Sequence, residues 1–170
     1  MRYFDIFPAF SSDELIEEIG NQQYFNVAFV SIFDHWLTTE EADSMIVSYS
    51  KKNPLMLKKY HACEGKFMRS LNNLYEEYEI YNIKDQILFE AVNFEFLRPL
   101  SIEMYKKICK DSLREKDLFL LAIPHRSSIL IGNFDLMVVV LTLKGASNEQ
   151  IEICKSFTTN DLFIISDNNG

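Results

Sequence analysis

Apolar residues along this chain recur either at helical offsets of three and four or in short unbroken runs, and the two patterns take turns. Leu15, Ile16 and Ile19 follow Ser11-Ser-Asp-Glu14, a hydroxyl and a carboxylate at capping-box spacing, and Gly20 is a natural helix end, so a short helix is predicted over 13–19. Tyr24–Phe33 is rich in Phe, Val and Ile and reads as a strand. A second capping box, Thr38-Thr-Glu-Glu41, precedes Ala42, Met45, Ile46 and Tyr49 at helical offsets. Asn53-Pro54 is expected to end that helix, because the residue before proline avoids the helical region. Between 60 and 80 the stripe Phe67, Met68, Leu71, Leu74, Tyr75 and Tyr78 faces away from Lys66, Arg69, Asn72, Asn73, Glu76 and Glu77, as on an amphipathic helix.

The second half carries more strand. Residues 83–97 divide near Ala91: Ile83, Ile87, Leu88 and Ala91 fit a helix, whereas Val92, Phe94 and Phe96 alternate with Asn93, Glu95 and Leu97. Ser101 caps a helix carrying Ile102, Tyr105, Ile108, Cys109 and Leu113. Two β-type runs, 118–123 and 128–132, flank a polar tetrad, His125-Arg126-Ser127-Ser128. Leu136–Leu143 reads as a buried strand, with a helix as the alternative; 148–157 reads as a helix, 162–165 as a last strand, and 167–170 as a frayed polar end. Helices and strands mix without strict βαβ alternation, which favours one α+β domain over 1–170, with a mixed, mainly antiparallel sheet packed by helices on one side. The expected core is Phe29, Ile32, Met45, Ile46, Phe67, Leu71, Leu74, Phe94, Phe96, Tyr105, Ile108, Leu120, Ala122, Ile129, Ile131, Val138 and Val140.

Length and composition agree with that picture. A chain of 170 residues fits a prior of roughly 100–200 residues per domain. The net charge of −8 disfavours nucleic acid, whose phosphates need clustered Lys and Arg, and disfavours anionic membrane surfaces. It suits a basic protein partner. Cys63, Cys109 and Cys154 are odd in number and far apart, with no Cys-x-x-Cys, so reduced thiols in the cytoplasm are expected. The N-terminus has no uninterrupted apolar segment of the signal-peptide kind, and no aliphatic run reaches the ~20 residues that cross a bilayer.

No complete catalytic or cofactor set stands out. His125, Arg126 and Ser127–Ser128 contain a base, a cation and a nucleophile, and a small hydrolase built on that turn is one alternative. However, Gly-x-Ser-x-Gly is absent, neighbours in a turn seldom aim at one atom, and Pro124 closes a strand where no ladder donor is needed, so the tetrad reads as a hairpin turn. His61-Ala-Cys-Glu64 offers metal-capable groups but lacks a second ligand pair at zinc spacing, so no metal is expected. Neither Gly-x-Gly-x-x-Gly nor a phosphate-binding loop occurs, and no cofactor is expected.

Aromatic residues are in excess. Tyr75, Tyr78 and Tyr81 lie beside Glu76, Glu77 and Glu79, and tyrosines interleaved with carboxylates form a candidate surface for a basic protein. A self-associating module, as a homodimer, would use the same aromatics. Arg98-Pro-Leu-Ser and Leu120-Leu-Ala-Ile-Pro-His-Arg-Ser-Ser-Ile-Leu-Ile-Gly132 resemble a signature of small uncharacterised bacterial proteins with an Ala-Ile/Val-Pro-x-Arg hairpin, over about a fifth of the 170 residues. In general profile the chain is also similar to bacterial immunity proteins, which are compact, acidic, cytosolic and motif-poor. That resemblance implies a non-catalytic protein that neutralises a cognate toxin by binding it. It assigns no site residue by alignment, so Tyr75, Glu76, Glu77, Tyr78, Glu79 and Tyr81 stand on their own chemistry.

Overall fold

The computed structural model describes residues 12–38, 40–41, 53–84, 98–134 and 136–165. Within them lie α1 (Ser12–Asn21), β1 (Phe25–Ser31), α2 (Pro54–Glu77), β2 (Tyr81–Asn82), α3 (Ile102–Leu113), β3 (Phe119–Ile123), β4 (Ser128–Phe134), β5 (Met137–Leu143), α4 (Ser147–Thr158) and β6 (Phe163–Ile165). The six strands form one sheet in the order β2-β3-β4-β5-β1-β6, and every neighbouring pair is antiparallel. The fold is α+β. The expectations for Ser11, the helix behind Thr38 with Met45 and Ile46, the division of 85–97 with Phe94 and Phe96, and the end at 167–170 fall outside the described residues.

Local signals place most elements. Ser101 Oγ accepts the Met104 N–H at 3.3 Å and opens α3. The Thr38–Glu41 capping box is reciprocal: the Thr38 N–H donates to Glu41 Oε2 at 2.9 Å, and the Glu41 N–H donates to Thr38 Oγ1 at 3.3 Å. Asn53-Pro54 starts a helix as well, and the end expected before it lies outside the described residues. Asn53 is extended, its side chain accepts the Met56 N–H at 3.1 Å, and Pro54 occupies the start of the 24-residue helix α2. The constraint that bars the residue before proline from a helix interior suits it equally to an N-cap, and a proline in the first turn has no N–H to lose. β2 is only two residues long, too short to show a period.

The sheet buries both faces, not one. Ala28, Val30, Phe119, Leu121, Ile123, Leu130, Val138 and Val140 share a core with Tyr60, Phe67, Leu71 and Leu74 of α2, Tyr105 and Cys109 of α3, and Ile153 and Phe157 of α4. Phe25, Val27, Phe29, Leu120, Ala122, Ile129, Ile131, Val139 and Leu141 form a second cluster on the reverse face, where Leu15 and Ile19 of α1 pack. The reason is visible in the strands themselves: Phe-Leu-Leu-Ala-Ile in β3 has no polar side to offer water, and all five residues are buried. Each fully buried Leu, Ile or Phe contributes about 2 kcal/mol of burial free energy. Of the expected core within the described residues, Ile32 and Ile108 are half-buried against the first cluster and the others are buried.

Three tyrosine hydroxyls bind the helical layer together. Tyr60 on α2 donates to the Leu113 carbonyl, Tyr105 on α3 donates to the Leu71 carbonyl at 2.7 Å, and Tyr75 donates to the Leu100 carbonyl at 2.7 Å. These contacts run in opposite chain directions, so α2 and α3 pack antiparallel, and the end of α2 is set against the segment that enters α3.

Candidate functional site

Helix α2 ends at Tyr78, which is extended and donates its N–H to the Leu74 carbonyl at 2.9 Å. The chain then turns through Glu79 into Ile80, which is buried, and the Ile80 carbonyl accepts the Leu100 N–H at 2.9 Å. This pairing brings Pro99 and Leu100 against the last turn of α2. Together, Tyr75, Glu76, Glu77, Tyr78, Glu79, Ile80, Pro99 and Leu100 line a cleft of about 300 Å³.

Five of the six residues singled out in the sequence therefore line one cleft. Tyr75 is half-buried, its ring 4.9 Å from that of Tyr105. Glu76, Glu77 and Glu79 are exposed. Tyr81 sits elsewhere. It is 8% exposed and its ring joins the cluster on the reverse face of the sheet; only its hydroxyl reaches the site, donating to Glu79 Oε2 at 3.2 Å. Burial and this bond push the Tyr81 hydroxyl above its usual range. The even spacing of three tyrosines suggested one ridge, but β2 begins at Tyr81 and the strand turns that side chain to the other face.

Tyr78 has a partner that the sequence did not indicate. The guanidinium carbon of Arg126 lies 4.8 Å from its ring centroid, and Arg126 Nη1 donates to Glu149 Oε2 at 2.5 Å in the first turn of α4. The bond to Glu149 raises the Arg126 pKa. Burial, with the neighbouring Glu77 carboxylate, pushes the Tyr78 hydroxyl up. His125, next in the turn, places Nε2 3.8 Å from Glu79 Oε2. The β3–β4 turn thus borders the cleft with two basic side chains. Pro99 and Leu100 were missed as site residues, and Arg126 was read as part of a separate hairpin turn, because they come from distant segments; the sequence signals were Arg98-Pro-Leu-Ser and the polar tetrad His125–Ser128.

The charge distribution runs against the helix. The last turn of α2 has no basic residue, although the carbonyl end of a helix is its negative pole. Glu76, Glu77 and Glu79 add three carboxylates there. The cleft thus combines negative potential, two tyrosine rings and an apolar wall of Ile80, Pro99 and Leu100. That set can receive a cationic side chain, with its stem against the wall and its head group near the carboxylates.

The other candidate clusters do not converge. In the hairpin, Pro124–Arg126 forms one 3₁₀ turn and Ser127 adopts the left-handed conformation at φ 48°. His125 points to the surface, Arg126 to Tyr78, and Ser128 is buried, with its hydroxyl 2.8 Å from that of Thr142. The turn therefore sets the Ser128 hydroxyl against Thr142 rather than against the histidine. Each histidine meets a carboxylate: His35 meets Asp34 at 2.7 Å, His61 meets Glu64 at 3.0 Å, and His125 meets Glu79. Glu64 is also held by Arg114, with bonds of 2.5 and 3.0 Å, so its carboxylate is occupied. Among the described residues no group of three His, Cys, Asp or Glu side chains is arranged to hold a metal ion, and no helix is long and apolar enough to cross a membrane.

No protein-family model, curated protein or solved structure matches the chain.

Proposed function

We propose that the chain is a non-catalytic protein-binding protein of the immunity type, which acts in the bacterial cytoplasm by covering a basic toxin. The observation that carries this reading is the cleft at the end of α2, where Glu76, Glu77 and Glu79 gather at the negative pole of the helix beside Tyr75 and Tyr78. Carboxylates at that pole cost the fold stability, and a cation from a partner would offset the cost. The net charge of −8 extends the same field and speeds encounter with a basic surface. Tyrosines serve such an interface because they bury area at low entropic cost and keep a polar end. Arg126 on Tyr78 supports the reading by example, since a guanidinium already rests on one of the two rings.

The test is capture from the native host with the tagged full chain, followed by association kinetics. A basic protein recovered at one-to-one stoichiometry is expected. The double variant Glu76→Lys/Glu77→Lys should slow its association at least tenfold at low salt and flatten the salt dependence. The proposal fails if no basic protein is recovered, or if the double variant binds one at the unaltered rate.

A further inference from the structure

We draw no further inference here: the strongest candidate, the largely apolar cleft of about 320 Å³ between α4 and the β1–β6 edge of the sheet, lined by Val27, Ala28, Ile151, Cys154, Lys155 and Ile164 among others, carries none because nothing in the structure shows what covers it.

Discussion

Gly132 lies beneath the ring of Phe119, its cross-strand neighbour, so closely that a Cβ at 132 would fall 2.4 Å from Cε1 and 2.6 Å from Cζ. The same Cβ would meet Ser112 Oγ of α3 at 2.7 Å. The missing side chain lets the ring fold across the strand and lets α3 settle on the sheet. Gly132→Ala should therefore destabilise the protein by about 1–3 kcal/mol, the usual cost of overpacking, read as a lower thermal midpoint. An unchanged midpoint would show that the ring moves aside freely.

Ser112 at the same contact predicts the opposite sign. Its hydroxyl is buried and has no hydrogen-bond partner among the described residues. Ser112→Ala removes an unsatisfied polar atom and improves helix propensity, so it should raise stability by about 1 kcal/mol. Denaturant unfolding of both variants checks the pair, and a loss of stability in Ser112→Ala would mean that the hydroxyl has a partner.

The elements that proved legible were those whose local chemistry and tertiary role agree. Ser101 capped the predicted helix, Met137–Leu143 of the run expected over 136–143 formed the buried strand β5, and the turn after Pro124 closed the β3–β4 hairpin. The helix start at Asn53-Pro54 went unread because one dihedral preference serves both a helix end and a helix start, and only the chain on either side decides. The second buried face was present in the text of the strands: Phe119–Ile123 and Met137–Leu143 lack alternation, which implies cover on both sides. The cleft was legible only in part. Tyr75–Glu79 are contiguous and could be seen, whereas Pro99, Leu100 and Arg126 arrive through Leu100–Ile80 pairing and the hairpin, contacts that no local pattern records.

Glu64 links α2 to the end of α3 and makes stability depend on pH. Its side chain is 9% exposed. Burial pushes its carboxyl up, but the hydrogen bonds from Arg114 and His61 outweigh this and hold it below the ordinary value of 4.5. A carboxyl whose folded pKa is depressed stabilises the fold above its unfolded pKa and loses that contribution as pH falls through the folded value. Thermal midpoints should therefore drop faster on acidification below about pH 4.5 in the native protein than in Glu64→Gln. Arg114→Ala should cost about 3 kcal/mol near neutrality by stranding the carboxylate, and the deficit should shrink in acid. A deficit independent of pH would assign the loss to packing alone.

The thiols should separate by burial. Burial pushes Cys109 up to about 12 and Cys154 up to about 11, while Cys63 is raised less and is only half-buried. A disulfide reagent attacks thiolates, so one thiol, Cys63, should react in the native state. Its rate should still climb as pH is raised towards 9. Cys154 should follow slowly and Cys109 only as the fold opens. Peptide mapping after timed labelling checks the order, and early modification of Cys109 would contradict the packing of α3 on the sheet.

The acidic end of α2 predicts that binding and stability will part. Glu76 and Glu77 are exposed in the last turn, where the helix carbonyls already make the potential negative. Replacing each with Lys should remove an unfavourable interaction and add a favourable one, worth about 0.5 kcal/mol per site at low ionic strength. Salt should erase most of this gain, because the charges face water. The double variant should thus melt slightly higher than the native protein in dilute buffer and at nearly the same temperature in high salt, while it loses fast association with a basic partner. Glu76→Gln/Glu77→Gln should fall between the two in both measurements. If the lysine variant instead melted several degrees lower, the carboxylates would be holding the fold, and their place at the negative pole would need no partner to explain it.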